Sequence, residues 1–131
     1  GSPGPELSPA VAELLSAAGK ILWVEETLMD AVTAISGSGP AYLFLFMEAM
    51  VRAGVACGLS EPVAETLVRQ TVKGSALLAN EGSLSALRQQ VTSPGGTTEA
   101  AVEILMKNSQ FEQLLVAAAK AAVKRANELK N

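Results

Sequence analysis

The nine residues Val91-Thr92-Ser93-Pro94-Gly95-Gly96-Thr97-Thr98-Glu99 have the types and spacing best suited to chemistry in this sequence. Pro94 has no N–H and is expected to end a preceding helix, while Gly95 and Gly96 let a ligand approach the backbone. Thr97 and Thr98 are expected to open the next helix. The first amides of a helix have no internal acceptor and lie at the positive end of its dipole, so a carboxylate or phosphate can bind them. Two hydroxyls stand beside them. The same residues also read as a plain helix-to-helix connection with a threonine cap, and by themselves they leave both readings open.

Little else offers chemistry. The 131 residues contain no histidine, which removes the usual general base, the Ser/His and Cys/His nucleophile pairs and the common zinc site. Cys57 is the single cysteine, so no internal disulfide can form; a buried, inert thiol in a reducing cytoplasm is expected. Gly37-Ser38-Gly39 begins a dinucleotide-like pattern, but Tyr42 stands at the next anchor position and no strand leads directly into it. A helix break capped by Ser38 is the simpler expectation. Gly95-Gly96 lacks the spacing and lysine of a phosphate-binding P-loop. Glu25, Glu26 and Asp30 read as a solvated helix start and not as metal ligands; no metal is expected. Glu81 lies at a helix end, where an acid is mildly unfavourable and hints at a cationic partner elsewhere.

A formal charge of −3 argues against nucleic acid, because no face collects the dense Lys and Arg that phosphate neutralisation needs. The longest apolar run, 40–47, stops at Glu48 and is too short for a bilayer, so no membrane is expected. No signal peptide is evident, and residues 1–5 read as an expression remnant or linker.

The elements that must position these residues are almost all helical. Ser8-Pro9 is expected to start a first helix that Gly19 ends. Residues 20–24 are the only convincing strand, and a single strand needs partners from elsewhere. A helix from Glu25 is expected to break at 36–40. The next, 41–57, is apolar around almost its whole circumference at first, so every side needs cover, most simply from a second copy. Gly58 closes it, Ser60-Glu61-Pro62 starts another, and Ser83 caps a shorter one leading to the glycine turn. Ser109 to Glu112 reads as a capping box opening a long amphipathic last helix. The fold class is all-α, a bundle of about six helices with one stray strand.

Met29-Asp30-Ala31-Val32-Thr33-Ala34 followed by Ser36-Gly37-Ser38-Gly39-Pro40-Ala41-Tyr42, together with Leu87-Arg88-Gln89-Gln90 running into the nine residues above, closely resemble the C-terminal half of pyrroline-5-carboxylate reductases. Similarity runs from about Lys20 to the end of the chain. The resemblance implies an enzyme that reduces 1-pyrroline-5-carboxylate to L-proline with NADPH or NADH, the last step of proline biosynthesis. It implies a Rossmann domain followed by a helical domain that interlocks as a homodimer, often within a ring of dimers. Residues 1–7 would then be remnant or linker, 8–24 the closing helix and strand of a Rossmann half lying outside this chain, and 25–131 the dimerisation and substrate-binding domain.

On the same resemblance, the imino acid's carboxylate sits on the amides of Gly95, Gly96 and Thr97 with Ser93 nearby, and Val91 lines the ring pocket. The Thr98 hydroxyl is the catalytic group and bonds the imine nitrogen. Glu81 supports the site through a lysine of the Rossmann half, and Ser38, Gly39 and Pro40 face the cofactor. This chain alone is expected to bind no cofactor and to be inactive. Two other readings compete: a purely structural dimerisation module, and the helical half of a different dehydrogenase, which should lack the signature from Ser93 to Thr98.

Overall fold

The computed structural model describes residues 9–130. Helix α1 spans Pro9–Ala18. The expected cap at Ser8 and the linker at 1–7 lie outside the described residues. Residues 20–24, expected as a strand, are irregular and join no ladder among the described residues. The physical reason is the absence of an edge to pair with: a strand exists only through its partners. Leu22 is accordingly 81% exposed.

The helix break expected at 36–40 does not occur. A 3-10 turn, Glu26–Leu28, runs into α2, Met29–Val32, then a π-helical turn, Thr33–Gly37, then α3, Gly39–Ala56. The Ser38 N–H donates to the Thr33 carbonyl at 2.9 Å, five residues back. Pro40 explains the wide turn. Its ring would strike the carbonyl four residues earlier, that of Ser36, and it has no N–H to give. One extra residue in the turn moves that carbonyl aside and keeps the rod continuous. The hydroxyls of Thr33 and Ser36 donate to the carbonyls of Met29 and Val32, a side-chain competition that loosens the same turn. Ser38 makes no side-chain cap, against expectation.

Joined in this way, Glu26–Ala56 is long and apolar enough by length and composition to cross a membrane, which the interrupted run 40–47 was not. Glu48 and Arg52, paired at 3.5 Å, interrupt its apolar surface.

Helix α4, Glu61–Leu78, folds back on α3 as a helical hairpin. Ala64 and Val68, one turn apart, are buried where the two meet. Helix α5, Leu84–Gln90, is capped by Ser83, whose hydroxyl accepts the Ala86 N–H at 3.3 Å. Helix α6, Thr97–Met106, packs on α7, Gln110–Glu128. The expected capping box at Ser109 is absent. Asn108 and Ser109 both take positive φ to make a tight turn, whereas a capping serine needs an extended backbone.

Helix α7 runs along α2 and the π turn. Phe111 meets Phe46 with ring centroids 6.1 Å apart, and Lys130 pairs with Asp30 at 2.5 Å. Only Ala34, Ala64 and Val68 are buried hydrophobics among the described residues. Leu43, Phe44, Leu45, Leu67, Leu77, Ile104 and Leu114 are all exposed in the single chain. Cys57, expected to be buried, is exposed and forms the C-cap of α3.

Candidate functional site

Helix α5 stops at Gln90, four residues before Pro94, so the proline does not end it as expected. The end is closed by Thr92, whose N–H donates to the Gln89 carbonyl and whose hydroxyl donates to that of Arg88 at 2.6 Å. Ser93-Pro94-Gly95-Gly96 then forms a tight reversal in which the Gly96 N–H donates to the Ser93 carbonyl at 2.9 Å. Proline at the second position and φ +71 at the third are the features of a type II turn.

The two glycines are required for different reasons. Gly95 holds the left-handed φ. At Gly96 a Cβ would lie 2.9 Å from the Ser93 carbonyl oxygen, closer than side chains approach.

The turn delivers the chain into α6 with Gly96 as its N-cap. Here the geometry corrects the expected donor set. The Gly96 N–H is spent inside the turn, and the Gly95 N–H donates to the Glu99 carboxylate at 2.6 Å. Those two amides are therefore satisfied by the chain itself. The amides of Thr97, Thr98 and Glu99 meet no acceptor among the described residues, as the first turn of a helix requires; the first bond to the cap comes from Ala100, whose N–H donates to the Gly96 carbonyl. The Thr97, Thr98 and Ser93 residues are exposed, and Val91, at the end of α5, is 64% exposed. An anion can thus meet three consecutive amides at the positive end of a ten-residue helix, near the hydroxyl-bearing Ser93, Thr97 and Thr98, with the Glu99 carboxylate already seated on the neighbouring Gly95 amide.

Glu99 is the residue to which sequence reasoning gave no role. The available signal was its place three residues after the N-cap, where glutamate commonly reaches back to a free amide.

The remaining expected residues are not brought to this turn within one chain. Ser38 and Gly39 are partly shielded beside the π turn, which packs against α2, α3 and α7. Glu81 lies in the turn after α4, where its N–H donates to the Leu78 carbonyl and its carboxylate has no ion-pair partner among the described residues. Asp30 does not converge with Glu25 and Glu26, being paired instead with Lys130 and only 14% exposed. The described residues do not fit a dinucleotide, since Gly37-Ser38-Gly39 lies within a helical run instead of following a strand.

Comparison with known proteins places these features in a family. Residues 26–129 match the model for pyrroline-5-carboxylate reductase dimerisation. The pyrroline-5-carboxylate reductase of Pseudomonas aeruginosa is 50% identical over 120 residues, which is 89% of this chain and 44% of that protein. The Arabidopsis thaliana enzyme of the same name is 49% identical over 121 residues, covering 91% of this chain and 44% of its own length. The chain thus spans under half the length of these relatives. Among solved structures, the pyrroline-5-carboxylate reductase of Coxiella burnetii superposes with a TM-score of 0.83 at 42% identity, covering 94% of this chain and 48% of that one. The Plasmodium falciparum pyrroline carboxylate reductase, solved with NADP bound, gives a TM-score of 0.78 at 36% identity over 93% of this chain and 49% of its own. All-α, with a glycine turn that leaves the opening amides of its sixth helix free and with residues 26–129 matching the family model, this chain belongs to the pyrroline-5-carboxylate reductase dimerisation family.

Proposed function

We propose that this domain is the self-associating, imino-acid-binding half of an NAD(P)H-dependent reductase that converts 1-pyrroline-5-carboxylate to L-proline. The observation that carries the reading is the open start of α6, where the Thr97 and Thr98 amides have no acceptor in a stretch inside the family match. A cyclic imino acid presents one carboxylate and one C=N bond. Its carboxylate lies on the two amides, favoured by the helix dipole, with the Ser93 hydroxyl nearby and Val91 against the ring. The protonated imine nitrogen donates to the Thr98 hydroxyl oxygen. That pair of contacts fixes the ring in one orientation.

An iminium carbon is already electrophilic, so positioning supplies most of the acceleration and the lack of histidine is no obstacle. A reduced nicotinamide, held outside this chain on a Rossmann domain, would supply the hydride. Ser38, Gly39 and Pro40 face that side, and Glu81 pairs with a lysine of that domain.

The partners follow the same reading. A second copy covers α3, and such homodimers build a ring; lipid is disfavoured by the Glu48–Arg52 pair on the same rod. The single cysteine and the substrate are consistent with a cytoplasmic protein.

In the two-domain reductase, Thr98→Ala is expected to lower kcat at least about tenfold while KM changes less, as loss of a contact made to the reacting group does. A rate within about twofold, roughly 0.4 kcal/mol, would remove the role given to that hydroxyl. The domain alone is expected to show no NADPH binding and no turnover, checked by fluorescence titration and by the absorbance of NADPH.

A further inference from the structure

We propose that Glu99 is a positioning residue that decides which amides the glycine turn leaves open to the substrate. The proposal rests on the imino-acid site described above. Gly95 and Gly96 stand immediately before the open amides of Thr97, Thr98 and Glu99, and five free amides in a row would offer an incoming carboxylate several registers. Two of the five are withdrawn. The Ser93 carbonyl takes the Gly96 N–H, and the Glu99 carboxylate takes the Gly95 N–H at 2.6 Å, a charge-assisted bond that spans the turn from the helix side.

Because Glu99 sits on the first turn of α6, this bond ties the left-handed Gly95 to the helix it precedes. With the bond made, the Thr97 and Thr98 amides have a fixed direction before any ligand arrives. Without it, Gly95 and Pro94 are held only by the Gly96–Ser93 bond, and the ligand must order the turn itself. Glu99 acts through the backbone; it does not touch the substrate.

The test compares Glu99→Ala and Glu99→Gln in the two-domain reductase, measuring KM for 1-pyrroline-5-carboxylate, KM for NADPH and kcat. The glutamine keeps an oxygen that accepts the Gly95 N–H and removes the charge. The alanine variant is expected to raise the imino-acid KM about tenfold, the effect of one hydrogen bond to a charged group. KM for NADPH should stay within about twofold, and the glutamine variant should recover part of the loss, since a neutral acceptor makes roughly half as strong a bond as the carboxylate. An unchanged imino-acid KM in Glu99→Ala would overturn the proposal. So would equal impairment of the glutamine variant, which would mean that charge and not the bond matters, or an equal rise in both KM values, which would mean general loosening of the fold. Thr98→Ala separates this from the underlying site: if it lowers the rate while Glu99→Ala does nothing, only the role of Glu99 falls, and if it too does nothing, the site itself falls.

Discussion

Replacing Leu45 with glutamate should convert the assembled domain to monomer. Leu45 lies on the apolar rod of α3 and is 62% exposed in the single chain. For a leucine that exposure is roughly 110 Å², so covering it with a partner is worth about 3 kcal/mol at 25 cal/mol per Å². In a two-fold symmetric dimer the same position occurs on both subunits, so the loss counts twice, about 6 kcal/mol, or roughly four powers of ten in dissociation constant. Burial of a carboxylate adds to this, since an unpaired charge in an apolar interface costs more than the lost methyl groups. The assay is sedimentation equilibrium or light scattering across a concentration series, with Leu45→Met as a control that should leave the mass unchanged. If the wild-type domain were monomeric at micromolar concentration, or if the glutamate variant dimerised within about tenfold of the wild type, a second copy would not be what covers this helix.

Two further substitutions test the packing within one chain. A Cβ at Gly54 would lie 3.1 Å from that of Ala64 and 3.4 Å from Leu59 Cδ1, so Gly54→Val should wedge α3 from α4 and destabilise the domain by roughly 1–3 kcal/mol, read as a lower midpoint in urea; an unchanged midpoint would mean that the hairpin opens freely at this end. The Tyr42 hydroxyl is enclosed without a hydrogen-bond partner among the described residues, so Tyr42→Phe should be neutral or slightly stabilising in the same measurement. A loss above about 1.5 kcal/mol would show that the assembled protein supplies that hydroxyl with a partner.

Much of the helical scheme was legible because its punctuation is local. Gly19, Gly58, Ser60 and Ser83 fall where helices start or stop, and the period of Val63, Leu67, Val68 and Val72 marks α4. The misreadings share a cause, which is that a local signal has two outcomes and the surroundings choose. Pro40 read as a break, yet a π turn absorbs it. Ser109 read as a cap, yet the backbone there is spent on a left-handed turn. Residues 20–24 have strand composition, but pairing is a property of the neighbour. At the site, the nine-residue stretch identified the place and the free helix start, but not which amides the chain would keep for itself. That depended on Glu99 folding back over the turn, a contact between positions 95 and 99 that residue types suggest only as a capping habit.

The exposure of the single chain also constrains how its chemistry can be measured. With only Ala34, Ala64 and Val68 buried among its described hydrophobic residues, the single chain has a small core, and self-association is expected to add burial that helps offset the entropy of ordering its helices. Stability and association are then expected to form one equilibrium, with an unfolding midpoint that shifts with protein concentration. The glycine turn is part of that equilibrium, because α6 is held chiefly by α7, and α7 by the same rod that carries Leu45. In the two-domain reductase, a substitution on α3 that weakens assembly is therefore expected to lower apparent activity without touching the turn. A substitution at Thr98 or Glu99 should lower it at every concentration alike, and that difference in concentration dependence separates loss of the site from loss of the scaffold.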